Sequence, residues 1–103
     1  LMPQFDVYAN PGRNADLIPF LLDVQSDMLD PLDTRLVAPL VDATRAKAMS
    51  RLNPEFIIEG RRLFLSTQEM SGYPRRALGE PLFNLSQRRD EILVAIDFLM
   101  LGF

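Results

Sequence analysis

Residues 92–103 carry a single charge, Asp97, in an otherwise apolar run that closes on Leu101-Gly102-Phe103. Apolar helix ends ordinarily disappear into a core. An apolar stretch finishing in a flexible glycine and an aromatic predicts instead a surface made to be pressed against another molecule. Ser86 is the expected cap of this helix, its hydroxyl accepting from backbone N–H groups two or three residues on, and Asp90 and Glu91 put negative charge into the early turns, where the macrodipole favours it. Arg88 and Arg89 oppose that slightly. Ile92, Ala95, Ile96 and Leu99 recur at three- and four-residue spacing and make one core-facing stripe. Leu93, Val94, Phe98, Met100 and Leu101 fall outside it. A helix apolar nearly all round must be covered on more than one side, here by its own sheet and by a partner or a second copy of the chain. At about 1.5 Å rise per residue the segment reaches only about 18 Å, short of a hydrocarbon layer of about 30 Å, so membrane insertion is not expected. Gly102 should end the helix in the left-handed conformation of a terminating turn. The competing reading is a plain core helix with a frayed end.

At 103 residues the chain is one domain, residues 1–103, whose modest core would gain from oligomerisation. It has no cysteine, hence no disulfide or thiolate chemistry, which suits a reducing cytoplasm. It also has no histidine, which excludes His- or Cys-ligated zinc, Cys-His nucleophiles and Ser-His-Asp triads. Lys47, the only lysine, lies in a polar stretch with no nucleophile elbow nearby. Asp23, Asp27, Asp30 and Asp33 are the densest group of acids and the one place for acid/base work, although four acids in turn-rich sequence are usually just solvated. No cofactor and no catalytic residue is expected.

The net charge of −3 argues against direct nucleic-acid binding, which needs a concentrated positive surface. Ten of the eleven basic residues are arginine, six of them in the doublets Arg61-Arg62, Arg75-Arg76 and Arg88-Arg89. Planar guanidinium groups bond carboxylates bidentately, so clustered doublets could dock an acidic peptide; solvated surface arginines are the simpler alternative. The start, Leu1-Met2-Pro3-Gln4-Phe5, lacks a basic segment and a long apolar run, so no signal peptide is expected and Met2 reads as the natural first residue, with Leu1 an addition.

Ahead of the helix the pattern is of short strands and turns. Gln4 to Ala9 alternates, with Phe5 and Val7 on one face and Gln4, Asp6 and Tyr8 on the other, before a turn at Asn10-Pro11-Gly12-Arg13-Asn14. Leu17 to Gln25 puts Phe20, Leu22 and Val24 on one face, and Pro19, which cannot donate to a ladder, delays that strand or sends it to an edge. Thr34 to Val41 alternates again, with Pro39 carrying the same implication. Glu55 to Ile58 and Arg62 to Ser66 flank Glu59-Gly60-Arg61, a short hairpin loop. Asp42 to Leu52 is open between a short helix and a loop. Strands followed by one terminal helix indicate a mainly antiparallel sheet curled into a small barrel and covered by that helix.

Taken together, these residues resemble the CcdB family, toxins of plasmid toxin–antitoxin modules, along essentially the whole chain. The resemblance rests on Gln4-Phe5-Asp6-Val7-Tyr8 as first strand, Asp23-Val24-Gln25-Ser26-Asp27 followed by Met28-Leu29-Asp30, Val37-Ala38-Pro39-Leu40 as third strand, and Leu85-Ser86 leading into the apolar helix. It implies a homodimer of SH3-like barrels that is not an enzyme. Such a dimer enters the central cavity of the dimerisation domain in the catalytic subunit of DNA gyrase and traps gyrase on cleaved DNA. By position, the gyrase contacts would be Met28, Leu29, Asp97, Met100, Leu101, Gly102 and Phe103. The resemblance also implies a CcdA-like antitoxin with a disordered, acidic tail, for which Arg61, Arg62, Arg75 and Arg76 are the candidate docking residues. Where the family pattern has tryptophan this chain has Leu101, which offers no π face to a guanidinium, and where it has asparagine this chain has Asp97. Two alternatives follow from other classes of function: a detoxified relative acting through antitoxin binding and autoregulation, and a small hydrolase using the acids between Asp23 and Asp33.

Overall fold

A computed structural model describes residues 3–103; the expected start at Met2, and Leu1 before it, lie outside the described residues. Seven strands form one antiparallel sheet: β1 (Asp6–Ala9), β2 (Phe20–Asp23), β3 (Thr34–Asp42), β4 (Glu55–Ile58), β5 (Arg61–Leu65), β6 (Ser71–Pro74) and β7 (Phe83–Asn84), and the helix α1 (Arg89–Leu101) follows. The path runs β4-β5-β3-β2-β1-β7, with β6 paired to β3, so the sheet curls into a half-barrel.

Local chemistry explains several boundaries. β2 begins directly after Pro19, whose carbonyl accepts from Asn10 N–H at 3.0 Å and closes the turn predicted there. β4 and β5 are joined by two residues, Glu59 (φ 53°) and Gly60 (φ 78°), both left-handed as the tightest hairpin turn requires. Arg61 therefore belongs to the strand, opposite Ile58, and not to the loop.

Pro39 is the instructive departure. β3 is the central strand of the sheet, not an edge. It pairs with β2 along one side, and on the other with β6 through Val37 and with β5 from Leu40 onward. Pro39 sits at the handover between those two partners, where its missing N–H interrupts no ladder and its carbonyl still accepts from Ser66 N–H at 2.8 Å. Asp42 still belongs to β3, and the rest of the stretch to Leu52 resolves as turns and loop, with none of its alanines buried to reward helix formation.

Both faces of the sheet carry buried side chains, although the second face opens to solvent at β4, where Ile57 is exposed. One carries Val7, Phe20, Leu22, Ala38, Leu40, Phe56, Leu63 and Leu65 beneath Ile92 of α1. The other packs Tyr8, Leu21, Val37 and Leu78, so the Tyr8 face of β1 is interior as well. That second face also buries Asp23 and Arg35 completely, joined by Arg35 Nε donating to Asp23 Oδ2 at 2.7 Å.

Candidate functional site

The helix is anchored at its start and bare at its end. Ser86 does not cap it: residues 86–88 form a separate 3-10 turn, and Ser86 is itself held through its N–H by Asn84 Oδ1 at 2.8 Å. Arg88 stands at the N-cap position, yet its side chain makes no capping bond and instead ties the helix start to its neighbours. Its guanidinium is bidentate to Glu91, donates to the Glu55 carbonyl at 3.1 Å and stacks 4.5 Å from the Phe56 ring centroid. The Arg88 hydrogen bond holds the Glu91 carboxyl below its ordinary range, and the same bond raises Arg88.

Only Ile92 and Ala95 of α1 are fully buried; Ile96 and Leu93 pack against the core part-buried. The predicted stripe runs out at Leu99, which is exposed. Phe98 lies under the Arg51 guanidinium, 4.5 Å from its ring centroid. Beyond it the surface is apolar and open: Met100 is 71%, Leu101 61% and Phe103 77% exposed, and Val94 and Asp97 face solvent as well. Gly102 ends the helix as predicted, at φ 81°, with its N–H on the Phe98 carbonyl at 2.9 Å.

Met28 and Leu29 form a second exposed apolar point on a 3-10 turn, residues 27–29, with Met28 89% exposed. Ser26 Oγ caps that turn through Met28 N–H at 3.2 Å, and Asp27 Oδ1 accepts from Gln4 N–H at 2.6 Å. The tip of α1 and this loop are thus held by separate sets of bonds, and both are uncovered.

The acids between Asp23 and Asp33 are dispersed into structural bonds. Burial pushes the Asp23 carboxyl up, against the lowering effect of its bonds to Arg35 and to Gln25 N–H. Asp30 pairs with Arg35 and Arg75, and the Asp33 carbonyl accepts from Arg75 N–H. The candidate docking arginines also differ from one another. Arg61 pairs with Asp42 at 3.4 Å, Arg62 with Glu55 at 3.2 Å, and Arg76 is exposed. Asp42 is held below the usual carboxylate range, first by the Thr44 hydroxyl and N–H and then by Arg61. Arg75 points inward, as described below. Among the described residues no three His, Cys, Asp or Glu side chains gather as a metal site, and no helix is long and apolar enough to cross a membrane.

A half-barrel with one C-terminal helix and an uncovered apolar helix tip is the arrangement the sequence resemblance implies, and the family model described as "CcdB protein" matches residues 4–102. The chain belongs to the CcdB family. CcdB proteins are toxins of toxin–antitoxin systems that poison gyrase rather than catalyse a reaction. The match runs from the β1 approach through Gly102, so every candidate contact except Phe103 lies within it. The Arg35–Asp23 pair and the inward Arg75 were not visible in the CcdB-like sequence pattern, because their partners lie far away in sequence, on a neighbouring strand for Arg35 and in the loop before β3 for Arg75.

Proposed function

We propose that this chain is the gyrase-directed toxin of a type II toxin–antitoxin module. It acts in the cytoplasm as a homodimer that inserts its helix tips into the dimerisation domain of the gyrase catalytic subunit, trapping the enzyme on cleaved DNA. The observation that carries this reading is the apolar tip, Met100, Leu101 and Phe103, left open on a helix that is anchored to the core through Ile92 and Ala95. Exposed apolar area of this kind stabilises an assembly once water is expelled from it. Exposed Val94 and Leu99 on the same helix offer further apolar area for a second copy of the chain. Met28 and Leu29 offer a second exposed apolar contact point. A CcdA-like antitoxin neutralises the toxin by folding its acidic tail over this surface, and exposed Arg76 and the partly exposed Arg61 and Arg62 supply positive charge for it.

The test is induced expression in a bacterium with gyrase capture from the same cells. Growth arrest and capture of the gyrase catalytic subunit, both lost on removing residues 101–103 from a chain that still folds, support the reading; unfolding of the shortened chain would instead make those residues core.

The second reading, a detoxified relative that acts through antitoxin binding and autoregulation, draws on Leu101 and Asp97, where the family pattern has tryptophan and asparagine. It predicts tight antitoxin binding with no growth defect, and restoring tryptophan at Leu101 would then restore toxicity.

A further inference from the structure

Arg75 stands 43 to 45 residues from the segment it holds. Its Nη1 donates to two backbone carbonyls of the 30–32 segment, those of Asp30 and Leu32, the latter at 3.1 Å, while Nη2 lies 3.5 Å from Asp30 Oδ1. Its own N–H is fixed on the Asp33 carbonyl at 3.0 Å. From the other side, buried Gln25 spans the same loop: Nε2 donates to the Leu29 carbonyl at 3.1 Å, and Oε1 accepts from Leu36 N–H at 2.9 Å. Arg35, anchored on Asp23, lies 3.7 Å from the Asp30 carboxylate beneath. The turn that carries Met28 buries none of its own residues, so its conformation rests on hydrogen bonds and not on packing: the Ser26 and Asp27 bonds hold its start, and Gln25 and Arg75 hold its exit.

We infer that Arg75 and Gln25 are positioning residues, which hold the Met28–Leu29 turn in the shape that meets the target. This deepens the proposed function and rests on it. A planar fork with Nη1 on two carbonyls and Nη2 towards the Asp30 carboxylate fixes a loop in a way a point charge does not. A loop already ordered in its bound shape avoids the entropy of ordering on association. The role also takes Arg75 away from antitoxin docking, since its guanidinium is engaged within its own chain.

The experiment compares Arg75→Lys, Gln25→Glu, Met28→Ala and the Arg75→Lys/Met28→Ala pair for binding to the purified catalytic subunit of gyrase, with amide hydrogen exchange and thermal unfolding on each. Arg75→Lys keeps the charge and loses the fork; Gln25→Glu keeps the acceptor for Leu36 N–H and loses the donor to Leu29. The expected result is faster exchange at Leu29, Asp30 and Leu32 with core strands unchanged, and about tenfold weaker binding through faster dissociation. In the Met28→Ala background the Arg75→Lys effect should shrink to a small remainder, because only Leu29 is left to position. Equal binding by wild type and Arg75→Lys, or effects that simply add to Met28→Ala, would overturn the inference while leaving the gyrase reading intact. Absence of wild-type binding would overturn both, and is recognised by that alone. Should Arg75→Lys fail to fold, Gln25→Glu in the same two backgrounds decides.

Discussion

Arg35 Nε donates to Asp23 Oδ2 across 2.7 Å with both side chains fully shielded from solvent. Arg35 is the largest of the fully buried side chains, so the second face of the sheet is organised around an ion pair as much as around apolar packing. A buried pair contributes little net stability against an apolar replacement, yet losing one partner strands a charge. Arg35→Met should therefore destabilise by about 3–5 kcal/mol, and adding Asp23→Asn should recover most of that in chemical denaturation. Burial raises the Asp23 carboxyl, and without Arg35 that effect stands unopposed by the pair. The single variant should be most stable below the ordinary Asp value of about 4 and lose stability as pH rises through the raised folded-state value. Equal stability of the single and double variants at neutral pH would contradict this.

Tyr8 supplies an alkaline counterpart. Burial, with Asp6 and Asp23 nearby, pushes its phenol up to about 12. The unfolded chain loses that proton near pH 10 and the folded chain does not, so stability should be intact below about pH 10 and fall by about 3 kcal/mol on approaching pH 12. Tyrosinate absorbance should show a late-titrating ring in the native protein, and Tyr8→Phe should abolish both that component and its share of the pH dependence.

The two ends of α1 should respond oppositely to shortening. Ile92 is fully buried, and Ile92→Ala should cost about 2–5 kcal/mol by thermal or urea unfolding. Leu101 is 61% exposed, and Leu101→Ala should change stability by less than about 0.5 kcal/mol while weakening capture of the gyrase catalytic subunit. A large stability loss at Leu101 in a monomeric sample would mark the tip as core.

Arg88 joins α1 to β4, but with about two fifths of its side chain exposed its contribution is screened. Arg88→Ala should cost about 1 kcal/mol, mostly from the lost Phe56 stack and Glu55 carbonyl bond, with the Glu91 part shrinking in salt. Because Glu91 is lowered in the folded state, that part is present above its unfolded value of about 4.3 and disappears as pH falls through the folded one. Denaturation of the wild type and Glu91→Gln across acidic pH checks this: their difference should close towards low pH.

Features decided by neighbouring residues were legible in the sequence. Pro19 set the start of β2, Gly60 the hairpin and Gly102 the helix end, each through backbone geometry alone. The exposed tip was legible too, because a helix with apolar residues all round exceeds what one sheet face can cover. What tertiary partners decide was not. Pro39 read as an edge signal because nothing local reveals that β5 gives way to β6 beside it. Ser86 had the chemistry of a cap but begins a separate 3-10 turn, and nothing local showed that Leu78 would close over Tyr8, Leu21 and Val37. Arg75 read as half of a surface doublet because its carbonyl partners lie more than forty residues away.

The pairing of Asp6 with Asn84, segments 78 residues apart in sequence, bears on when the toxin surface comes into being. Distant contacts form late, since the intervening chain must surrender its freedom before the pairing repays it. β7 leads through residues 86–88 directly into α1, so the seam between Asp6 and Asn84 also fixes where the helix begins. A nascent chain that has not closed this seam would carry the apolar residues without the geometry that presents them.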